Sequence, residues 1–261
     1  MENMAFYRMT SGNLDEASWL FEAVFKLREK EHIVISLVNP LGHQGIVSRK
    51  RAASQKYLIR LLVTNFLRFL RLDYIARLFF DKFCEPLMAE LNENYSKAES
   101  LFNQAYALSD TIGDENVKSW VSHHLAWVLI NKGQAVSAQS YALQALETYK
   151  KIGDRRGLSD CHEQLGRICL AIDNKNTDTA GYHFSQSLNI RNEIENLHGA
   201  ASATLNFSFL YWHTGNYLKS VRFLLKGMKK YRDVGLLNPK RIFAITILFS
   251  VWTVGKRDWT L

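Results

Sequence analysis

Histidine, thiol and carboxylate come closest together in the run Cys161-His162-Glu163, so the chemistry open to that run sets the first question. A helical zinc site of the HExxH kind needs a second imidazole four residues on, to face the same way as the first. That position is Gly166, and His162-Glu163 therefore reads as a solvated helix face. His123 and His124 are adjacent, which points them about 100° apart on a helix and keeps them off a common metal. Cys161 and Cys169 lie eight apart, on a similar face but beyond disulfide reach. With Cys84 they form no CxxC pair, and the two on this segment read as buried thiols. Gly255-Lys256 lacks the glycine loop of a phosphate site, and no GxxxxGK[ST], GxGxxG or GxSxG run occurs. The expectation is a protein that is not an enzyme and uses no metal or cofactor.

What remains is binding chemistry, and which aromatic and arginine side chains could share a surface depends on the elements that carry them. A repeat organises those elements. Aligning GNLDEASWLFEAV from Gly12, ENYSKAESLFNQA from Glu93, GQAVSAQSYALQA from Gly133, NTDTAGYHFSQS from Asn176 and GNYLKSVRFLLKG from Gly215 brings small residues into register at Ala17, Ala98, Ala138, Ala180 and Ser220. The intervals are 81, 40, 42 and 40, with the 81 read as two periods. Four residues later stand Phe21, Phe102, Ala142, Phe184 and Leu224, and seven later Val24, Ala105, Ala145, Ser187 and Gly227. Offsets of four and seven share a helix face, so these stripes mark the second helix of each repeat. First helices carry a large-small pair at Leu125-Ala126, Leu165-Gly166, Phe207-Ser208 and Phe249-Ser250. The large residue fills the core, and the small one lets the partner helix approach. Ile112-Gly113-Asp114, Ile152-Gly153-Asp154 and Val234-Gly235 punctuate the pairs as helix stops.

If the large residues of the first helices face the core, those two places away turn to the inner surface of a curved array. This selects His123, Trp127, Glu163, Arg167, Leu205 and Phe209, with Trp120, Asp160 and Trp212 one turn away, as a peptide-binding groove. Aromatics and arginine are the types that dominate binding energy at such surfaces.

The large-small pair, the Gly-Asn or Gly-Gln turn, and the small residue with an aromatic four later resemble tetratricopeptide repeats over roughly Tyr95 to Leu261. The period of 40 to 42 residues and the Ile152-Gly153-Asp154-Arg155-Arg156-Gly157 linker are similar to the long-helix variety in bacterial signalling ATPases, maltose-regulator-like transcription factors and Leu-Gly-Asn-repeat adaptors. The resemblance implies an all-α, right-handed α-solenoid of about six helix-turn-helix repeats, the C-terminal one incomplete. It further implies a protein-interaction scaffold or sensor that grips a peptide or helix. The alternative is the regulatory arm of a signalling ATPase or transcription regulator.

The N-terminal 92 residues fit the pattern less well and read as degenerate repeat-like helices, with 93–261 as the regular array, in one continuous solenoid. A helix over Leu14 to Lys30 is expected, and Leu41-Gly42 falls about three periods before Leu165-Gly166. Pro40 should break a helix there and distort 39–45. Composition agrees with a folded chain: 261 residues are 47% hydrophobic and 12% aromatic, with no low-complexity tract.

The net charge of +8 is concentrated, since residues 46–80 hold eight Lys or Arg against the single acid Asp73. Arg49, Lys50, Arg51, Lys56, Arg60, Arg68 and Arg71 form this basic patch, whose plainest reading is a solvated helix face. Attachment to nucleic acid or an anionic membrane is the third reading, behind a protein or peptide partner. The start of the chain has no secretory pattern, and the thiols suit a reducing compartment, so the expected location is cytoplasmic. An apolar helix over 241–254 at the end of the array would suit self-association.

Overall fold

The computed structural model describes residues 1–30, 38–52, 85–173 and 175–235. Ten helices occupy them, α1 (Glu2–Ser11), α2 (Leu14–Lys30), α3 (Val38–Ala52), α4 (Glu85–Ile112), α5 (Glu115–Asn131), α6 (Ala135–Ile152), α7 (Arg155–Ile172), α8 (Thr177–Glu193), α9 (Leu197–His213) and α10 (Tyr217–Asp233), with no strand among the described residues.

Local chemistry sets the boundaries. Asp114 opens α5 by accepting from the backbone N–H groups of Asn116 and Val117, and Asp154 opens α7 by accepting from Arg156 and Gly157. Gly153 closes α6 at φ 74°, where a side chain would be strained. Between α8 and α9 the same linker carries Glu195, held at φ 54° where its counterparts have glycine.

The helices pack as five pairs, α1 with α2, α3 with α4, and so on to α9 with α10. Successive first helices, α1, α3, α5, α7 and α9, also touch one another directly, and the second helices do so less. The first helices therefore line the inner curve of the solenoid. The repeat register is the core: Ala17, Ala98, Ala138, Ala180 and Ser220 are all 0% exposed, and Phe21, Phe102 and Phe184 are buried between helices. In the pair α7/α8, a Cβ on Gly166 would fall 2.5 Å from Phe184 Cε1, so the small residue makes room for the aromatic. In α9/α10 the Ser220 hydroxyl donates to the Ser208 carbonyl at 2.6 Å.

Two expectations change in the N-terminal part. Pro40 does not break a helix: it sits in the first turn of α3, where no intrahelical bond needs its missing N–H, and α3 runs on through Gly42 and Gly45. Nor does the 81-residue interval from Ala17 to Ala98 correspond to two steps of packing among the described pairs. These residues belong to adjacent pairs, and the interval is long because 32 residues separate α3 from α4 where the other pairs have two to four between their helices. The partner of Phe102 is Gly45, whose Cβ would meet the ring at 2.8 Å, so Gly45 fills the role of Gly166 and Gly42 instead lies under Trp120. The incomplete C-terminal repeat, with the expected helix over 241–254, lies outside the described residues.

Candidate functional site

Three successive first helices converge on Trp127. Arg49 from α3 places its guanidinium carbon 4.6 Å from the indole centroid, and Arg167 from α7 places its own at 5.4 Å. The same point on the inner face thus receives one aromatic from α5 and a cation from each neighbour, an arrangement that stacking and cation–π attraction both favour. Burial, with Arg167 adding to it and Tyr95 opposing, pushes the Arg49 guanidinium down to about 10.

Beside Arg167 a cavity of about 460 Å3 opens between α5, α7 and α9. Ile130, Leu170, Leu205 and Phe209 give it apolar walls, while Glu163, Ser202, Asn206 and His213 supply polar ones. Phe209 is half exposed.

The acids of this region are already engaged. Arg191, on α8 and only 5% exposed, donates from Nη2 to Asp160 Oδ1 at 2.7 Å, from Nη1 to the Gly199 carbonyl at 3.0 Å, and pairs with Glu163. A Cβ on Gly199 would meet Arg191 Cδ at 2.8 Å, so this glycine makes room for the cation. Burial opposes the charge of Glu163, yet Arg191, Asn206 and Arg167 together hold its carboxyl below the ordinary range. The expectation of a solvated face for His162-Glu163 is therefore corrected. Glu163 is a partly buried partner of Arg191, and His162 is half-buried with its Nδ1 3.0 Å from Nδ1 of His183, a pairing between α7 and α8 invisible to a search for a second histidine on one helix.

The other expected groove residues divide. His123 is largely enclosed, its Nδ1 3.9 Å from Cys161 Sγ and its carbonyl accepting from Gln164 at 2.9 Å, and burial pushes it down to about 4. It ties α5 to α7 and stays neutral at ordinary pH. Trp120 packs edge-on against His43 and His124, at 5.6 and 4.8 Å between ring centroids, in the seam between α3 and α5. Trp212 is 3% exposed and stacks its edge on Tyr217. Trp127, Arg167 and Phe209 thus face the groove, Asp160 and Glu163 neutralise Arg191 beneath it, and His123, Trp120 and Trp212 are packing residues.

Of the basic patch, Arg49 is in the groove rather than on an outer face, and Lys50 donates to the Met9 carbonyl at 3.4 Å. The side chain of Arg51, and Lys56, Arg60, Arg68 and Arg71, lie outside the described residues. Ser202, Asn206 and His213 also line the cavity, and the first-helix register carries no signal for them.

This fold of paired helices is shared with solved structures. The chain is similar to a Rap protein complexed with competence and sporulation factor, at a TM-score of 0.57 and 15% identity over 97% of this chain and 69% of that one. The fold is tetratricopeptide-like. It is similar also to nearly identical TPR-like repeats from Podosopora anserina, at a TM-score of 0.55 and 15% identity over 90% and 94% of the two chains. BtubC (BKLC) from P. vanneervenii aligns at 0.51 and 16% over 87% and 92%. No protein-family model and no curated protein matches the sequence. At these identities the likeness is one of tetratricopeptide-like architecture. No described helix is long and apolar enough to cross a membrane.

Proposed function

We propose that the protein is an interaction scaffold or sensor that holds a peptide or helix of a partner protein along the inner face of the array. The observation that carries this is the meeting of Arg49, Trp127 and Arg167 from three consecutive first helices, beside a cavity walled by Phe209. Arginine and tryptophan in a partly desolvated concave site are the residues that concentrate binding energy. The solved Rap protein is in complex with a factor, which supports binding as the use of such an array. Binding rather than catalysis also suits the titratable groups, since Asp160 and Glu163 are committed to Arg191.

The test is affinity capture from lysate at moderate salt with the wild type and with a Trp127→Ala, Arg167→Glu double variant, both checked for helical content. Partners held by the wild type and lost by the folded variant support the groove. Capture that is unchanged by both substitutions removes the inner face from the function.

A further inference from the structure

Apolar and basic side chains meet on the outward face of α10, the second helix of the last described pair. Ser220, Leu224, Gly227 and Met228 bury one side of the helix, which packs against α9. Leu218, Val221 and Leu225 are turned away from that side and exposed, Leu218 at 87% and Leu225 at 56%. At about 100° per residue the three fall within one arc of about 60°, with Arg222 and Lys229 along its edge and Lys219 and Lys226 beyond. The helix holds six Lys or Arg against one acid, Asp233, which pairs with Arg232 at 3.7 Å.

Position in the repeat places this face on the outside of the array. Leu218 and Leu225 stand two residues before and five after Ser220, and the matching places on α6, counted from Ala138, hold Val136 and Leu143. Those remain 72% and 47% exposed although α7 packs directly on α6, so a following pair leaves this face bare. On α6 the cations, Lys150 and Lys151, are confined to the last turn, whereas on α10 they run the length of the helix beside the leucines.

We infer that α10 seats the protein on an anionic lipid surface, with Leu218, Val221 and Leu225 entering the boundary between headgroups and acyl chains and Arg222 and Lys229 meeting the lipid phosphates and carboxylates. Leu218 and Leu225 are two turns, about 10 Å, apart along the axis, so both enter when the helix lies parallel to the surface. Such seating needs both kinds of residue, because neither a few apolar side chains nor a basic patch alone holds a protein firmly at a membrane. A nucleic acid would engage the cations and leave the leucines in water. The inner face takes no part, so this surface is separate from the groove.

The test is sedimentation of the full chain with vesicles of phosphatidylcholine alone and of phosphatidylcholine with about one-third phosphatidylserine, at about 0.15 M salt. Binding to the anionic vesicles is expected, about ten-fold or more tighter than to the neutral ones. Leu218→Ser with Leu225→Ser, and separately Arg222→Gln with Lys229→Gln, should each weaken it about ten-fold or more. Val136→Ser with Leu143→Ser, the same change on α6, should alter it less than about two-fold. All of these positions are exposed, so each variant should keep the helical content of the wild type. No binding to anionic vesicles, equal binding to both kinds, or an equal loss in the α6 variant would overturn the inference. Capture of an oligonucleotide in place of vesicles, unaffected by the leucine substitutions, would overturn it too and assign the face to nucleic acid.

Discussion

Arg191 on α8 holds Asp160 of α7 at 2.7 Å, and the same guanidinium pairs with Glu163 one turn further along. One nearly buried cation thus neutralises two acids beneath the inner face. Arg191→Ala should destabilise the chain by about 3–5 kcal/mol, because it leaves partly buried carboxylates unpaired. Urea unfolding measures it. Asp160→Asn, which keeps the polar contact at a more exposed position, should cost much less.

Stability should fall in mild acid. His123 and His162 are each pushed down to about 4, and His43, His124 and His183 are also lowered, in every case chiefly by burial. Their folded pKa lies below the unfolded value near 6.5, so the unfolded chain binds more protons between these limits. The stability these neutral imidazoles contribute is complete above the unfolded pKa and is lost as pH falls from about 6.5 to about 4, at about 1.4 kcal/mol per pH unit for each proton taken up. Glu163, lowered in the same direction, adds its loss at lower pH. Denaturation midpoints between pH 7 and 4.5 should decline steadily, and His162→Gln should flatten the decline. A profile level across that range would contradict the burial of these rings.

Packing at the repeat register gives a third outcome. Gly166→Ala adds a methyl group 2.5 Å from a ring carbon of Phe184, which is 1% exposed, so the ring or its helix must shift. The helix gains from alanine by about 1 kcal/mol, but overpacking outweighs this, and a net loss of roughly 1–2 kcal/mol in thermal or urea unfolding is expected. A Gly166→Ala, Phe184→Leu double variant should recover part of it.

Most of this architecture is legible in the residues because a solenoid repeats its own rules. Ala98, Ala138, Ala180 and Ser220 recur at nearly constant spacing, and each is fully enclosed because a neighbouring helix crosses there. Legibility fails where the spacing fails. Between α3 and α4 the intervening length is ten-fold that of the shortest turns or more, so counting periods misplaces the pair and matches Gly42, rather than Gly45, to Gly166. The site divides the same way. Trp127 and Arg167 follow from the first-helix register, but Arg49 reads as one of a run of surface cations until α3 is seen to lie against α5. Contacts between elements, such as Arg191 with Asp160 or His162 with His183, leave no mark in the spacing along one helix.

Cys161 is 0% exposed and Cys169 is 7% exposed, and both belong to α7, the first helix of a pair enclosed by pairs on either side. Burial raises the Cys161 thiol, so in the native chain it is protonated and shielded from electrophiles. Each pair leans only on its neighbours, so these two thiols meet solvent only when an interface of α7 parts. With Cys84 replaced by serine, the alkylation rate of these thiols becomes a clock for the array. It times how often the centre of the solenoid opens, and a partner that clamps the inner face should slow it.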